Sequence, residues 1–446
     1  MGQDIVDKVR AAGVVGAGGA GFPTHVKLNA SVDRVLGNGA SCEPLLMSDP
    51  YLMESRTETV LRGLELVREA TGADKGSLCL KGKHSKAVAA VREGSKAKGF
   101  DRLDVVDLAD FYPAGDEQVL VYDVLHRVVP EGGIPLQVGA VVSNVESLLN
   151  IALAVDSGLP VTDRYLTVCG EVVNPCVVKS PIGARISDIL RLAGGATVGD
   201  AVVLLGGPMM GKVATDLSSP VTKTVSGIIV LPADHNIITG KVTDPERIRR
   251  ITKMVCCQCS RCTDMCPRNL LGHGLEPHKI MRSLASAGAA SDAVLENALI
   301  CSECGVCEKY ACPMMISPRE VNAQIKQELL SRGVRRQSTR EDYRPSEFRD
   351  VRKVPTRRLM ERLGIKQYDV HPPYVEGLVE VDEVVIPLAQ HIGAPAEPRV
   401  KAGDRVRKGD LLGEIPENSL GARVHASIDG VVTGVDQAVH ISRKGV

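Results

Sequence analysis

Tryptophan is missing from all 446 residues, and aromatic side chains make up only 3% of them. Stacking platforms for bases need aromatic faces, so single-stranded nucleic acid is a poor candidate ligand. Neither sign of charge is in excess, since 54 Lys and Arg stand against 54 Asp and Glu. No net basic field draws the chain to nucleic acid or to an anionic membrane. There is no apolar run of about 18 residues and no signal-peptide pattern, so no direct membrane insertion is expected. The 13 cysteines are odd in number. Five of them (Cys42, Cys79, Cys169, Cys176 and Cys257) fit no pairing pattern, which argues against a disulfide framework and for a reducing, cytoplasmic setting. What is plentiful is glycine, with 44 residues, and a hydrophobic share of 44%. That composition suits ordinary globular α/β modules, and the length suits about three domains.

The remaining eight cysteines form two runs. CCQCSRCTDMCP supplies Cys256, Cys259, Cys262 and Cys266, closed by Pro267. CSECGVCEKYACP supplies Cys301, Cys304, Cys307 and Cys312, closed by Pro313. A C-x2-C-x2-C loop can present three thiolates to one [4Fe–4S] cube, and in two-cluster ferredoxins the fourth Cys of each run serves the other cluster. One cluster is therefore assigned to Cys256, Cys259, Cys262 and Cys312, and the other to Cys301, Cys304, Cys307 and Cys266. Zinc ribbons use paired C-x2-C motifs, not triple runs ending in Cys-Pro. The second run departs from the usual spacing, because Glu308 to Ala311 put four residues before Cys312 instead of three. Cys257 breaks the register and reads as a neighbour, not a ligand.

Near the start of the chain, Ile5, Val6, Val9 and Ala12 follow a helical period behind Asp4. Five glycines then fall within the nine residues Gly13 to Gly21. Gly16, Gly18 and Gly21 satisfy G-x-G-x-x-G, yet a helix precedes them and Pro23 follows, so the strand–turn–helix context of a dinucleotide fingerprint is absent. No Lys-Ser/Thr follows Gly21, so it is not a Walker phosphate loop either. Two readings stay open: a tight turn, or a loop whose bare backbone can approach an anion or a planar ring.

GAGGAGFPTHVKL resembles the flavin loop of the NADH-binding flavoprotein subunit of respiratory complex I, and more closely that of the C subunit of Rnf electron-transport complexes. NGASCEP (Asn38 to Pro44), YPAGDEQ (Tyr112 to Gln118) and VVSNVESL (Val141 to Leu148) resemble further loops of the same group. With GGPMMG (Gly206 to Gly211) and the double Cys run, order and spacing are most similar to the cobalamin reductases of the propanediol-utilisation microcompartment. The resemblance implies FMN held by Gly16, Gly18, Gly19, Gly21 and Phe22, with Lys27 near its phosphate. It implies Asn38, Glu43, Glu117, Asn144 and Glu146 lining the isoalloxazine and the nicotinamide of NADH. Lys can supply a point charge to phosphate, and acids and amides can hydrogen-bond ribityl and ring-edge groups. Cys42 reads as packing.

The fold expected is multidomain α/β: a Rossmann-like FMN/NADH domain (1–158), a β-grasp soluble-ligand-binding domain (159–243), a helical ferredoxin-type dicluster domain (244–332), an Arg-rich linker (333–377) and a C-terminal all-β barrel-sandwich hybrid (378–446). Strands alternating with helices up to about residue 155 point to the first of these. The Arg-rich stretch reads as a solvated linker, as charge runs usually do, and the Met209–Met210 pair as core filler. VKAGDRVRKGDLLGE is a lipoyl-like pattern, but no Lys stands between Lys408 and Lys444. The swinging-arm function of a carrier domain is therefore not expected.

The resemblance implies electron flow from NADH to FMN, to two [4Fe–4S] clusters, to cobalamin. Free cobalamin or a cobalamin-bound adenosyltransferase would be the partner, beside shell or enzyme proteins of a cytoplasmic microcompartment. No cobalamin motif of the D-x-H-x-x-G type supports this independently, since Asp369-Val370-His371 ends in Tyr374. An NADH-oxidising subunit of a membrane Rnf complex and a non-catalytic electron-wiring protein stay open as alternatives. No catalytic acid or base is expected.

Overall fold

The computed structural model describes residues 2–285, 292–336, 340 and 342–444. Its first unit is a parallel sheet of β1 (Arg34–Gly39), β2 (Lys75–Lys81), β3 (Leu103–Leu108) and, after the short β4 (Phe111–Tyr112), β5 (Ala140–Asn144). The order is β3-β2-β1-β5, so the chain reverses direction across the sheet between β1 and β5. Strands covered by helices on both faces read as continuous apolar runs, and Leu78, Cys79 and Leu80 in β2 are fully buried. Around the sheet lie α1 (Gly2–Ala11), α2 (Thr24–Leu28), α3 (Thr57–Thr71), α4 (Glu117–Leu125) and α5 (Val145–Ser157).

Helix α3 puts Val60, Leu61, Leu64 and Val67 on its buried face and stops at Gly72, a left-handed cap at φ +69°. It packs on α5 so closely that a Cβ on Gly63 would overlap the Leu148 carbonyl. Backbone cannot yield as a flexible side chain does. Gly63→Ala should therefore cost about 3 kcal/mol, at the upper end for overpacking. Urea unfolding would measure it, and a loss under about 1 kcal/mol would mean that the two helices can part freely.

The second unit is a six-stranded mixed sheet in the order β12-β7-β6-β10-β8-β9. Five strands are local: β6 (Asp163–Gly170), β7 (Cys176–Pro181), β8 (Ala201–Leu205), β9 (Lys212–Val213) and β10 (Gly227–Pro232), with α6 (Ile186–Leu192) beside them. The third unit is helical, with α7 (Pro245–Val255), α8 (Pro277–Ala285) and α9 (Pro318–Ser331) around the cysteine runs. Asp244 caps α7, accepting from Arg247 N at 2.9 Å, and Pro245 takes the first helical position, where its missing N–H is harmless.

The described residues of the stretch expected as a linker, 333–377, carry regular elements, and that expectation is corrected. It carries β11 (Val354–Pro355), which pairs with β4, α10 (Thr356–Leu363), and β12 (Tyr374–Leu378), which completes the second sheet beside β7. Val354, Leu359, Met360, Leu363 and Ile365 join a buried cluster with Tyr112, Met209 and Cys304. Some of its arginines are tied down and not solvated. Arg336 pairs with Glu131 and Arg349 with Asp123, each at 2.7 Å, and Arg349 also lies over the Tyr122 ring. The segment straps the dicluster unit to the first unit.

The last unit is a sandwich of two small sheets. One is β13 (Glu383–Pro387), β19 (Ala438–Ser442), β18 (Gly430–Val435) and β15 (Arg405–Val406); the other is β14 (Glu397–Pro398), β16 (Leu411–Glu414) and β17 (Val424–His425). The turn between β16 and β17, where a carrier domain would present its lysine, has Asn418 in the left-handed region at φ +58°.

Candidate functional site

The glycine stretch is a clasped loop. Gly16 N donates to Phe22 O at 2.9 Å, and Val15 and Pro23 form an isolated bridge. Three units hold it in place. Ala17 N donates to the Ser147 hydroxyl at 2.8 Å, Arg164 Nη2 donates to Ala17 O at 2.7 Å, and Ile392 N of the C-terminal sandwich donates to Gly21 O at 3.0 Å. Two glycines are required by this geometry. A Cβ on Gly18 would lie 2.6 Å from the Asn144 side-chain oxygen, and Gly21, at φ +69°, is wedged against Thr224 and His391. Gly18, Gly19 and Ala20 face outward. Nothing lies within 4 Å of where a Cβ on Gly19 would point, so a planar ring can approach the backbone there.

Lys27, on α2, places its ammonium beside the same loop. Nζ donates to Glu117 Oε1 at 2.8 Å and to Val142 O at 3.2 Å, and sits 5.9 Å from the centre of the Phe22 ring. Asn144 ends β5. Asn38, near the end of β1, donates to Gly115 O at 2.8 Å. Gly16 to Phe22, Lys27, Asn38, Glu117 and Asn144 thus converge at the carboxyl ends of β1 and β5. That is where the strand order reverses and where open α/β sheets form their binding crevice. The donor set fits FMN: bare backbone for the ring, a cation for phosphate, amides and a carboxylate for ring edges and hydroxyls.

Two of the anticipated acids are engaged elsewhere. Glu146 is 2% exposed and pairs with the equally buried Arg164 at 2.7 Å, while also accepting from Tyr165 N at 3.0 Å. It reaches the glycine loop only through Arg164. Burial raises its carboxyl to about 7 although Arg164 pulls the other way. Glu43 accepts from Met209 N and Met210 N, both at 2.9 Å. Burial raises its pKa too. It organises the GGPMMG turn, whose Met209 carbonyl also takes Lys241 and Arg319.

The cysteines gather in two groups. Cys266, Cys301, Cys304 and Cys307 line one small buried cavity with Asn322 and Arg319. The other group is nearer the surface. Burial and the facing Cys312, Cys259 and Cys256 push the Cys262 thiol up to about 12. Cys259 is exposed, as is Cys257. The two loops share a backbone form: the second and fourth residues after the first Cys are left-handed in both, Gln258 and Ser260 in one, Glu303 and Gly305 in the other. Such turns aim successive thiols inward. Glu303 N donates to Cys301 Sγ at 3.4 Å, the kind of contact that tunes cluster potential. The extra residue of the second run is absorbed by a π-helical turn, Cys307–Ala311, the usual way a single insertion enters a helix. Cys312 thereby crosses to the first group. Among the described residues no three His, Cys, Asp or Glu side chains are arranged to hold a single metal ion. A four-cysteine zinc site would draw its sulfurs to about 3.8 Å apart.

One loop joins the two centres. Tyr112 OH donates to Cys304 O at 2.7 Å, and Asp116 receives both Arg268 Nη atoms at 2.6 and 2.9 Å, next to Cys266 and Pro267. Glu117, the following residue, holds Lys27. Tyr112, Arg164 and Arg268 were not identified from sequence. Tyr112 opens the YPAGDEQ motif, but its partner is 192 positions away, and neither arginine sits in any pattern.

Four families match this chain. Residues 9–153 match the Nuo51 FMN-binding domain, 165–213 the SLBB domain, 255–317 the 4Fe-4S dicluster domain, and 371–446 the RnfC barrel sandwich hybrid domain. Cobalamin reductase PduS of Salmonella typhimurium is 43% identical over 443 residues, spanning 99% of this chain and 97% of that protein. The Citrobacter freundii protein of the same name is also 43% identical, over 442 residues, with the same two shares. The C subunit of the Na(+)-translocating ferredoxin:NAD(+) oxidoreductase complex of Acetobacterium woodii is 35% identical over 277 residues, 60% of this chain and 59% of that one. The partial match ends short of full length while the first two run through all four units, so the chain belongs to the cobalamin reductase PduS family, flavo-iron-sulfur oxidoreductases with FMN-binding and 4Fe-4S dicluster domains.

Proposed function

We propose that this chain is an NADH-dependent reductase that carries electrons through FMN and two [4Fe–4S] clusters to cobalamin. The observation that supports it best is the loop Tyr112 to Glu117, which touches the lysine of the glycine loop at one end and, at the other, Cys304 and Arg268, the residue that follows the first cysteine run. Bound FMN supplies hydride acceptance and one-electron release, and each cluster carries one electron at a time. The chain's own residues do the positioning. Gly18, Gly19 and Ala20 leave the backbone bare for the ring, Lys27 takes the phosphate, and Glu117 and Asn144 fix the ring edge. Asn38 holds the Gly115 carbonyl so that the Tyr112 loop keeps its place. Cys256, Cys259, Cys262 and Cys312 serve one cluster; Cys266, Cys301, Cys304 and Cys307 serve the other.

Cobalamin as acceptor follows the name of the full-length relatives. The family's setting, a cytoplasmic microcompartment with an adenosyltransferase and shell proteins as partners, goes with it. Among the described residues no helix is long and apolar enough to cross a membrane. Anaerobic reconstitution followed by NADH titration tests the reading. The flavin band should bleach at substoichiometric NADH, the cluster band should follow, and cob(III)alamin should then be reduced. Reduction of artificial acceptors without cobalamin would remove the acceptor from the proposal.

The flavin site has its own test. Gly19 sits at φ +108° with nothing within 4 Å of where a Cβ would point. Gly19→Ala adds only strain, about 1–3 kcal/mol, whereas Gly19→Asp also aims a carboxylate at the site's anion. The Asp variant should retain less than about a tenth of the FMN kept by the Ala variant, since two like charges would share a desolvated site. Released flavin fluorescence gives the ratio. Equal retention would move FMN off this loop.

A further inference from the structure

Helix α7 leads straight into the first cysteine run, and its outward stripe is not that of an ordinary solvated helix. Arg247, Arg250, Ile251 and Met254 recur at i, i+3, i+4 and i+7, so they share one face. That face is unpacked: Met254 is 80% exposed and Ile251 37%. Across the cysteine loop, directly after Cys312 and Pro313, Met315 is 70% exposed and Met314 41%. Cys256 and Cys312 belong to the same group of thiols, so the apolar residues that flank them rim one exposed patch. Arg247 and Arg250 share the helix face with Ile251 and Met254, and Lys253 and Arg261 flank the first cysteines in the chain, all exposed. Many surface cations elsewhere lie against a carboxylate, as Lys75 does on Asp104 and Lys408 on Asp163. Among the described residues none of these four has an ion-pair partner, although the chain as a whole is electrically neutral. The second group of thiols, by contrast, is buried beneath the Tyr112 loop and the strap.

We propose that this patch docks an acidic one-electron carrier protein, and that the quartet Cys256, Cys259, Cys262 and Cys312 is where electrons leave the chain. This rests on the cluster reading above and adds the exit, the order of the two centres and a protein acceptor beside cobalamin. Thioether side chains make an adaptable apolar centre, and unpaired cations beside it steer an anionic partner and fix its orientation. Each encounter moves one electron and no atoms: the chain is oxidised by one, the partner's centre is reduced by one, and the pair of electrons from one NADH serves two encounters. A small contact of this kind suits transient redox complexes.

The test uses the reconstituted full chain, oxidised, with an acidic [2Fe–2S] ferredoxin as probe and a basic c-type cytochrome as its opposite. Binding is read at equilibrium by calorimetry, so turnover is not needed. Ferredoxin should bind at low salt and weaken roughly tenfold or more at high salt. Arg250→Glu combined with Lys253→Glu should weaken ferredoxin by roughly tenfold and strengthen the cytochrome. Met254→Gln combined with Met315→Gln should weaken ferredoxin without changing the salt dependence. Cluster absorbance identical to wild type certifies both variants as folded. Ferredoxin binding that ignores the charge reversal, or wild-type preference for the cytochrome, overturns the proposal, as does capture by anionic vesicles in place of ferredoxin. A flavin that NADH cannot bleach would sink the NADH reading and leave this result standing.

Discussion

Cys304→Ala should lower iron from about eight to about four atoms per chain and cut electron delivery by about a hundredfold, while NADH still bleaches the flavin. The position is the most informative of the eight. Cys304 is buried in the cavity shared with Cys266, Cys301 and Cys307, and its own carbonyl receives Tyr112 from the flavin side. Removing the thiol breaks the chain between the two kinds of carrier without touching the glycine loop. Cys257→Ala is the matching control. That thiol is exposed and stands outside both groups, so iron content and throughput should stay at wild-type values. Iron analysis with stopped-flow absorbance in the flavin and cluster bands separates the outcomes. A Cys304→Ala protein with all eight irons would undo the assignment of the quartets.

Arg164→Met should destabilise the protein by about 3–5 kcal/mol, because it strands a buried carboxylate. Arg164 and Glu146 have side-chain exposures of 4% and 2%. The guanidinium also donates to Val225 O at 2.6 Å and to Ala17 O at 2.7 Å, so three segments lose their common partner. FMN retention should fall with stability, since Ala17 belongs to the loop. Acidity gives a signature that mere loss of packing would not. Burial already holds Glu146 up to about 7 against the pull of Arg164, and removing the arginine raises it further. A carboxyl whose folded pKa exceeds its unfolded value stabilises fully below the unfolded value and loses that stability as pH rises through the folded one. The deficit of the variant should therefore narrow toward about pH 5 and widen toward about pH 8. Glu146→Gln combined with Arg164→Met should recover part of the loss, since no charge is left unpaired. Chemical denaturation at both pH values decides it; a deficit independent of pH would make the pair ordinary packing.

The cysteine runs could be read from sequence because iron–sulfur ligation fixes spacing along the chain, and the glycine loop because close approach to backbone demands missing side chains. Both signals are local. The direction of a carboxylate is not. Glu43, Glu117 and Glu146 look alike in sequence, yet only Glu117 faces Lys27, while the others are turned toward the Met209 turn and toward Arg164. The Arg-rich stretch misled for a related reason. Arg336 and Arg349 read as solvated because their partners, Glu131 and Asp123, lie about 200 positions upstream. A signal was present in Leu359, Met360 and Leu363, an apolar stripe at i, i+1 and i+4 that a solvated linker has no use for. The four-residue spacing before Cys312 could be noticed but not resolved, since whether a helix takes up an extra residue as a π turn depends on what packs around it.

The C-terminal sandwich has a consequence for how the protein is made. Its Ile392 fastens Gly21, and Lys223 Nζ ties Gly13 O to Arg423 O, at 2.7 Å each. The glycine loop is synthesised before Arg164, Lys223 and Ile392, three of the groups that hold it. Domains usually settle in order of synthesis; here the loop gains two of its ties only when the C-terminal sandwich docks. Detaching the sandwich should therefore loosen the glycine loop even where the first sheet stays intact.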